Sequence, residues 1–354
     1  MLKKINYSGI NAKTKAMKAR HLSDASFDEL CGKSSVSDAA SYLKDNTGYS
    51  DIFSSINVKT IHRNEIEELL SMHYRNEVKK IYLFISGQKR KVLEHIFIKY
   101  EIECIKDKLR RLKAREESHS YLHPGDFFED HMTIDLDALY KATTASEVNS
   151  CIKGSKYEKI VTPLLNPHTG THEQPNAHTG ESSFTIEMKL DLYYFNYLLG
   201  IKKYIKDKND KKIFSDLFGA VIDVTNIMWI YRCKKYFNIS KELIYTYLIP
   251  YRQKLKKNDI TDFVEAENPD DFIRIVSGTI YKDLFTDLEE RFIEQNFKHY
   301  IYGVSRKVLK NNPFSIAAIL IPVHMAEIEI NNINTVVECI RYGLSKDQIK
   351  EIVG

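Results

Sequence analysis

The stretch LDALYKATTASEVNSCIKGSKYEKIV (Leu136–Val161) decides the fold, because it has two altered copies elsewhere in the chain. They are FDELCGKSSVSDAASYLKDNTGYSDIF (Phe27–Phe53) and ITDFVEAENPDDFIRIVSGTIYKDLF (Ile260–Phe285). Each copy opens with a short apolar helix and passes through a small polar step followed by acids. It then enters a second helix that ends at a tyrosine: Tyr49, Tyr157 or Tyr281. A small polar residue ahead of an acid starts a helix, because its oxygen accepts from free backbone N–H groups and the acid suits the positive end of the dipole. Ser35–Asp38, Thr144–Glu147 and Asn268–Asp271 therefore read as three N-cap regions.

A second landmark also recurs. Its copies are EIECIKDKLRRLKAR from Glu101, DVTNIMWIYRCKKYF from Asp223 and EIEINNINTVVECIRYGLS from Glu327. In each, an acid is expected to open a helix whose apolar residues follow at helical spacing, with a basic residue near its end. Cys104, Asn226 and Asn332 share one position; Arg110 and Arg232 share another, where the third copy has Glu338, with Arg341 further on. Between the landmarks each copy holds a pair of longer amphipathic helices. Stretches alternating at period two are almost absent, and Gly (14) and Pro (8) are scarce. The reading is an all-α protein of three similar helical units, over 1–120, 121–240 and 241–354, as a fixed period implies.

The bulk numbers narrow the class. Across 354 residues, 52 basic and 48 acidic side chains leave a net charge of only +4, which argues against a nucleic-acid binder relying on a basic field. Five scattered cysteines without a CxxC pair point to reduced thiols in a cytosolic protein. The N-terminal stretch has no apolar core of a signal peptide. The longest apolar run, near FSIAAILIPVHM, is broken by Pro322 and His324 and is too short to span a bilayer.

The chain resembles the C subunits of the bacterial and archaeal V/A-type rotary ATPases, equivalent to the d subunit of the eukaryotic V-ATPase. The residues that carry the resemblance are Ile10–Tyr49, Asp223–Ser240 and Asn312–Val353. The acid, Asn and aliphatic theme stands at Asp223–Asn226–Ile227 and again at Glu329–Asn332–Ile333, with Ile in place of Leu; Cys104 replaces the Asn in the first copy. The resemblance implies three helical lobes forming a funnel about a pseudo-threefold axis. It implies a non-catalytic rotor adaptor that receives the shaft subunits D and F and sits on the membrane ring of proteolipid subunits, with the membrane stator as a further neighbour. The chain would then lie at the cytoplasmic face of the membrane without entering the bilayer. It would link ATP hydrolysis or synthesis to H⁺ or Na⁺ transport. The alternative is a helical-repeat scaffold for protein partners with no rotary role.

Two stretches tempt a site assignment. NPHTGTHEQPNAHTGESS (Asn166–Ser183) holds His168, His172 and His178, but its Pro and Gly residues mark a loop. It has no Cys and one acid between the outer histidines, so we expect no metal site there. A third alternative, a metal-dependent hydrolase, would add His123 and His131. The densest basic run, Lys106–Arg115, offers Lys106, Arg110, Arg111 and Lys113 as a partner-contact cluster, against a reading as a solvated helix face. Tyr49, Tyr157, Tyr281, Asn226, Arg232 and Asn332 recur with the repeat and so read as architectural. No phosphate loop, GxSxG, HExxH or CxxC motif is present, and neither a catalytic residue nor a cofactor is expected.

Overall fold

A computed structural model describes residues 2–115, 124–165, 179–287 and 290–353. Among them every regular element is helical. In chain order the α-helices of the first third are α1 (Leu2–Lys18), α2 (Asp24–Cys31), α3 (Val36–Asn46), α4 (Arg63–Phe84) and α5 (Gln88–Ala114). Next come α6 (Asp126–Glu129), α7 (Leu136–Lys141), α8 (Ala145–Ile152), α9 (Glu158–Leu165), α10 (Thr179–Ile201) and α11 (Lys208–Lys235). The last third holds α12 (Lys241–Tyr247), α13 (Lys257–Glu265), α14 (Pro269–Ser277), α15 (Glu290–Asn311), α16 (Ala317–Arg341) and α17 (Lys346–Val353).

All three expected caps form. The Ser35 hydroxyl accepts from the Asp38 N–H at 3.1 Å, Thr144 from Glu147 at 3.2 Å, and Asn268 Oδ1 from Asp271 at 2.9 Å. At Thr144 the Glu147 carboxylate accepts in return from the Thr144 N–H, closing a capping box. Each such cap is worth about 1 kcal/mol.

The second landmark departs from expectation. Glu101, Asp223 and Glu329 do not open helices: each lies deep inside α5, α11 or α16. The second helix of each long pair runs on through the landmark without a break. The turn between α4 and α5 is made by Gly87, whose φ of +58° favours a residue without a Cβ.

The described residues form two compact units. One comprises Met1–Arg90, Lys206–Val221 and Ser277–Gly354; the other Lys91–Ile205 and Ile222–Val276. In the first, Leu30, Leu43, Phe53, Ile66, Leu70 and Ile333 are wholly buried in a shared core, so residues from both ends of the chain fill it. In the second, Ile105, Leu139, Val148, Ile152, Tyr157 and Leu190 play that part. Each such side chain contributes about 1.5–3 kcal/mol through burial. By length and composition α11 could cross a bilayer. Its apolar stretch is instead core, with Ile222, Val224, Ile227 and Ile230 wholly buried.

Candidate functional site

The three mid-helix acids make one recurring device. Glu101, fully buried, accepts from the backbone N–H groups of Thr133 and Ile134, from the Thr133 hydroxyl at 2.9 Å and from the Tyr157 hydroxyl at 2.6 Å. Lys156 Nζ lies 2.8 Å from the same carboxylate. Asp223, also fully buried, accepts from the N–H groups of Gln253, Lys254 and Leu255 at 2.9, 2.6 and 3.1 Å. Glu329 accepts from the Leu22 N–H at 2.9 Å and the Tyr49 hydroxyl at 2.7 Å.

The register is the same each time. Ile134, Leu255 and Leu22 stand one residue before Asp135, Lys256 and Ser23, which cap α7, α13 and α2. An acid in the last long helix of one repeat thus holds the first short helix of the next. The third repeat's acid holds the first repeat. A buried carboxylate needs donors to offset its desolvation, and each of the three has them.

Tyr49 and Tyr157 are the expected repeat tyrosines, and their hydroxyls are what the acids bind. Burial first, and then the adjoining carboxylate, push both phenols well above their ordinary pKa, so both keep their protons and donate. Tyr281 is buried against the Tyr300 ring at 5.3 Å. Asn226 donates to the Ile249 carbonyl at 3.1 Å and accepts from its N–H at 2.9 Å, tying α11 to the segment after α12. Arg232 and Asn332 are half-buried.

Among the described residues, imidazoles join the anchor at Glu329. His21 occupies the register held by Thr133 and Lys254 in the other two. Its Nδ1 lies 2.8 Å from Glu329 and its Nε2 3.6 Å from Glu77; His73 lies 3.7 Å from Glu77. Burial alone would lower the His21 pKa from 6.5, but hydrogen bonds to Glu329 and Glu77 raise it to about 9. Burial alone would raise Glu77 from 4.5, but hydrogen bonds from His21 and His73 lower it to about 2. A charged His21 therefore joins the end of α1 to both α4 and α16.

The basic cluster is largely engaged inside its own unit. Lys106 is buried and pairs with Asp191 and, at 3.3 Å, with Glu103. Arg110 meets Glu187 with two bonds of 2.9 and 2.6 Å, and Arg111 meets Asp107 at 2.8 Å. Lys113 is exposed. Neighbouring Lys108, also buried, donates to the Tyr140 carbonyl at 2.8 Å. The bonds of Lys106, Lys108 and Arg110 hold α5 to α10 and to α7, Arg111 pairs within α5, and Arg110 and Lys113 are exposed.

Residues 166–178 of the histidine loop, with His168, His172 and His178, lie outside the described residues, as does His123. His131 hydrogen-bonds the Phe127 carbonyl at 2.7 Å and stacks on Phe97 at 4.3 Å. Among the described residues, no group of three or more His, Cys, Asp or Glu side chains could hold a metal ion.

Comparison with known proteins places this architecture. The family model described as ATP synthase (C/AC39) subunit matches residues 10–352. The C subunit of the A-type ATP synthase of Methanobrevibacter smithii is 23% identical, over 97% of this chain and 86% of the relative. The proteins of the same name from Pyrococcus abyssi and Thermococcus kodakarensis are 24% and 25% identical, each over 98% of this chain and 90% of the relative.

Proposed function

Because the chain belongs to the ATP synthase (C/AC39) subunit family, we propose that it is the non-catalytic rotor adaptor of its complex. It receives the D–F shaft on one side and rests on the proteolipid ring on the other, at the cytoplasmic face of the membrane. It catalyses nothing and passes torque between ATP chemistry and H⁺ or Na⁺ movement.

The observation that carries this reading is the repeated carboxylate anchor. A torque coupler must not yield at the joints between its parts. A buried acid holding two or three fixed donors is a stiff joint, because each donor would be left unsatisfied if the joint opened. Close-packed helices add to the stiffness. The third anchor, Glu329 on Leu22 and Tyr49, joins the last repeat to the first. That closure supports three related helical lobes, 1–120, 121–240 and 241–354, with the last tied back to the first.

Removing the chain from the purified complex tests the role. On this reading the remaining complex hydrolyses ATP but no longer moves ions, and adding the chain back restores transport. Ion transport undiminished by its removal would overturn the adaptor role.

A further inference from the structure

The first unit carries a groove of about 690 Å³, with His21 and Glu77 beside the third anchor on its lining. Its floor is apolar: Ile321, Val323 and Ala326 of α16 with Val78 and Ile81 of α4. Helices α1 and α15, which both pack on α16, form the two walls. The walls carry cations at helical spacing. Lys15 and Lys18 lie on α1, and Arg306, Lys307 and Lys310 lie on α15. All five are exposed. Among the described residues, none of the five forms an ion pair. Glu77, the acid on the lining, is already engaged by His21 and His73. Asn11 also lines the groove and is buried, at 7% exposure.

We propose that this groove receives an acidic amphipathic helix from a partner protein. Three features argue for that occupant. Two rows of like charge flank an apolar floor, which complements a helix with an aliphatic stripe and acids on both sides of it. Uncompensated cations beside a low-dielectric floor gain most from carboxylates brought against them. The α1 wall runs from Asn11 to Lys18, about 10 Å at the helical rise, which matches roughly two turns of a guest helix. A membrane is the poorer match, since a plane of headgroups would meet the lysines and leave the recessed floor empty. The inference rests on the groove and not on the rotor reading, so failure of the chain to restore ion transport would leave it standing.

The test uses the full chain and a fluorescein-labelled synthetic peptide of about fourteen residues. The peptide carries Leu at helical spacing and Glu on both flanks. A second peptide has Lys for every Glu, and vesicles of phosphatidylcholine with phosphatidylglycerol serve as the lipid probe. Fluorescence anisotropy should show the acidic peptide binding at low salt and weakening as salt rises. The double variant Lys15→Glu/Lys310→Glu, at exposed positions, should weaken it by about tenfold or more. Met325→Trp, which fills the groove without altering charge, should weaken it as well. Circular dichroism checks that both variants remain folded. Equal binding of the basic peptide, or of the acidic peptide to both variants, would overturn the proposal. So would vesicle binding without peptide binding, which would assign the surface to anionic lipid.

Discussion

At Glu101 a single carboxylate takes five donor groups, and at Glu329 three. Replacing Glu101 with Ala would leave Lys156, the Tyr157 hydroxyl and two backbone N–H groups without their acceptor. Breaking a buried ion pair by removing one partner costs about 3–5 kcal/mol. Tyr157→Phe removes one donor and should cost about 1–2 kcal/mol. Urea unfolding of both variants checks the order, and a Glu101→Ala loss no larger than that of Tyr157→Phe would contradict it. His21 gives a pH signature. Its pKa rises on folding, so its contribution is whole below pH 6.5 and is lost as pH climbs from 6.5 to about 9. Glu77 acts in the opposite sense: its contribution is present above pH 4.5 and is lost as pH falls from 4.5 to about 2. His21→Gln should cost about 2 kcal/mol near neutrality, with the gap from the parent closing as pH rises through the His21 window. A gap of the same size at both ends of that window would contradict the assignment. The repeat tyrosines were legible in the sequence because they recur. Their partners were not: Tyr49 and Glu329 are 280 positions apart, and no local pattern encodes a pairing that far away.

At the scale of elements, the helix starts were readable because capping is local chemistry, complete within four residues, as at Thr144 and Glu147. The long helices were harder. The acid of each second landmark looked like a helix opener, yet Glu101, Asp223 and Glu329 sit mid-helix and serve a neighbouring element instead. Preference for an acid at an N-terminus lost to the demand of distant backbone donors. The basic stretch of α5 was legible only as a run of charge, since a row of lysines and arginines reads the same whether it faces solvent or braces α10. The two roles separate by substitution. Lys106→Met leaves Asp191 without its buried partner and should cost about 2 kcal/mol. Arg110→Ala, at a half-exposed pair, should cost under about 1 kcal/mol. Thermal unfolding of the two variants checks this, and equal losses would show that burial does not separate them. Lys113, which is exposed, remains the member of the run best placed to meet a partner.

At the scale of the whole molecule, sequence repetition announced three related pieces, and the helical class followed from it. What repetition could not show is that the joints lie between repeats, with an acid from one holding the first short helix of another. Glu329 makes that explicit by binding Leu22 and Tyr49, so the end of the chain secures its beginning. Nor could a sequence with nearly balanced charge reveal that five cations gather around one groove. A part built this way suits a rigid link between a shaft and a ring, and on the proposed reading it binds the shaft directly. The most direct test is size-exclusion co-elution of the purified chain with the D–F shaft pair of the same cell, at low and moderate salt. A one-to-one complex is expected, with salt dependence reporting how much of the contact is electrostatic. No complex with D–F, either alone or with the proteolipid ring present, would contradict that reading.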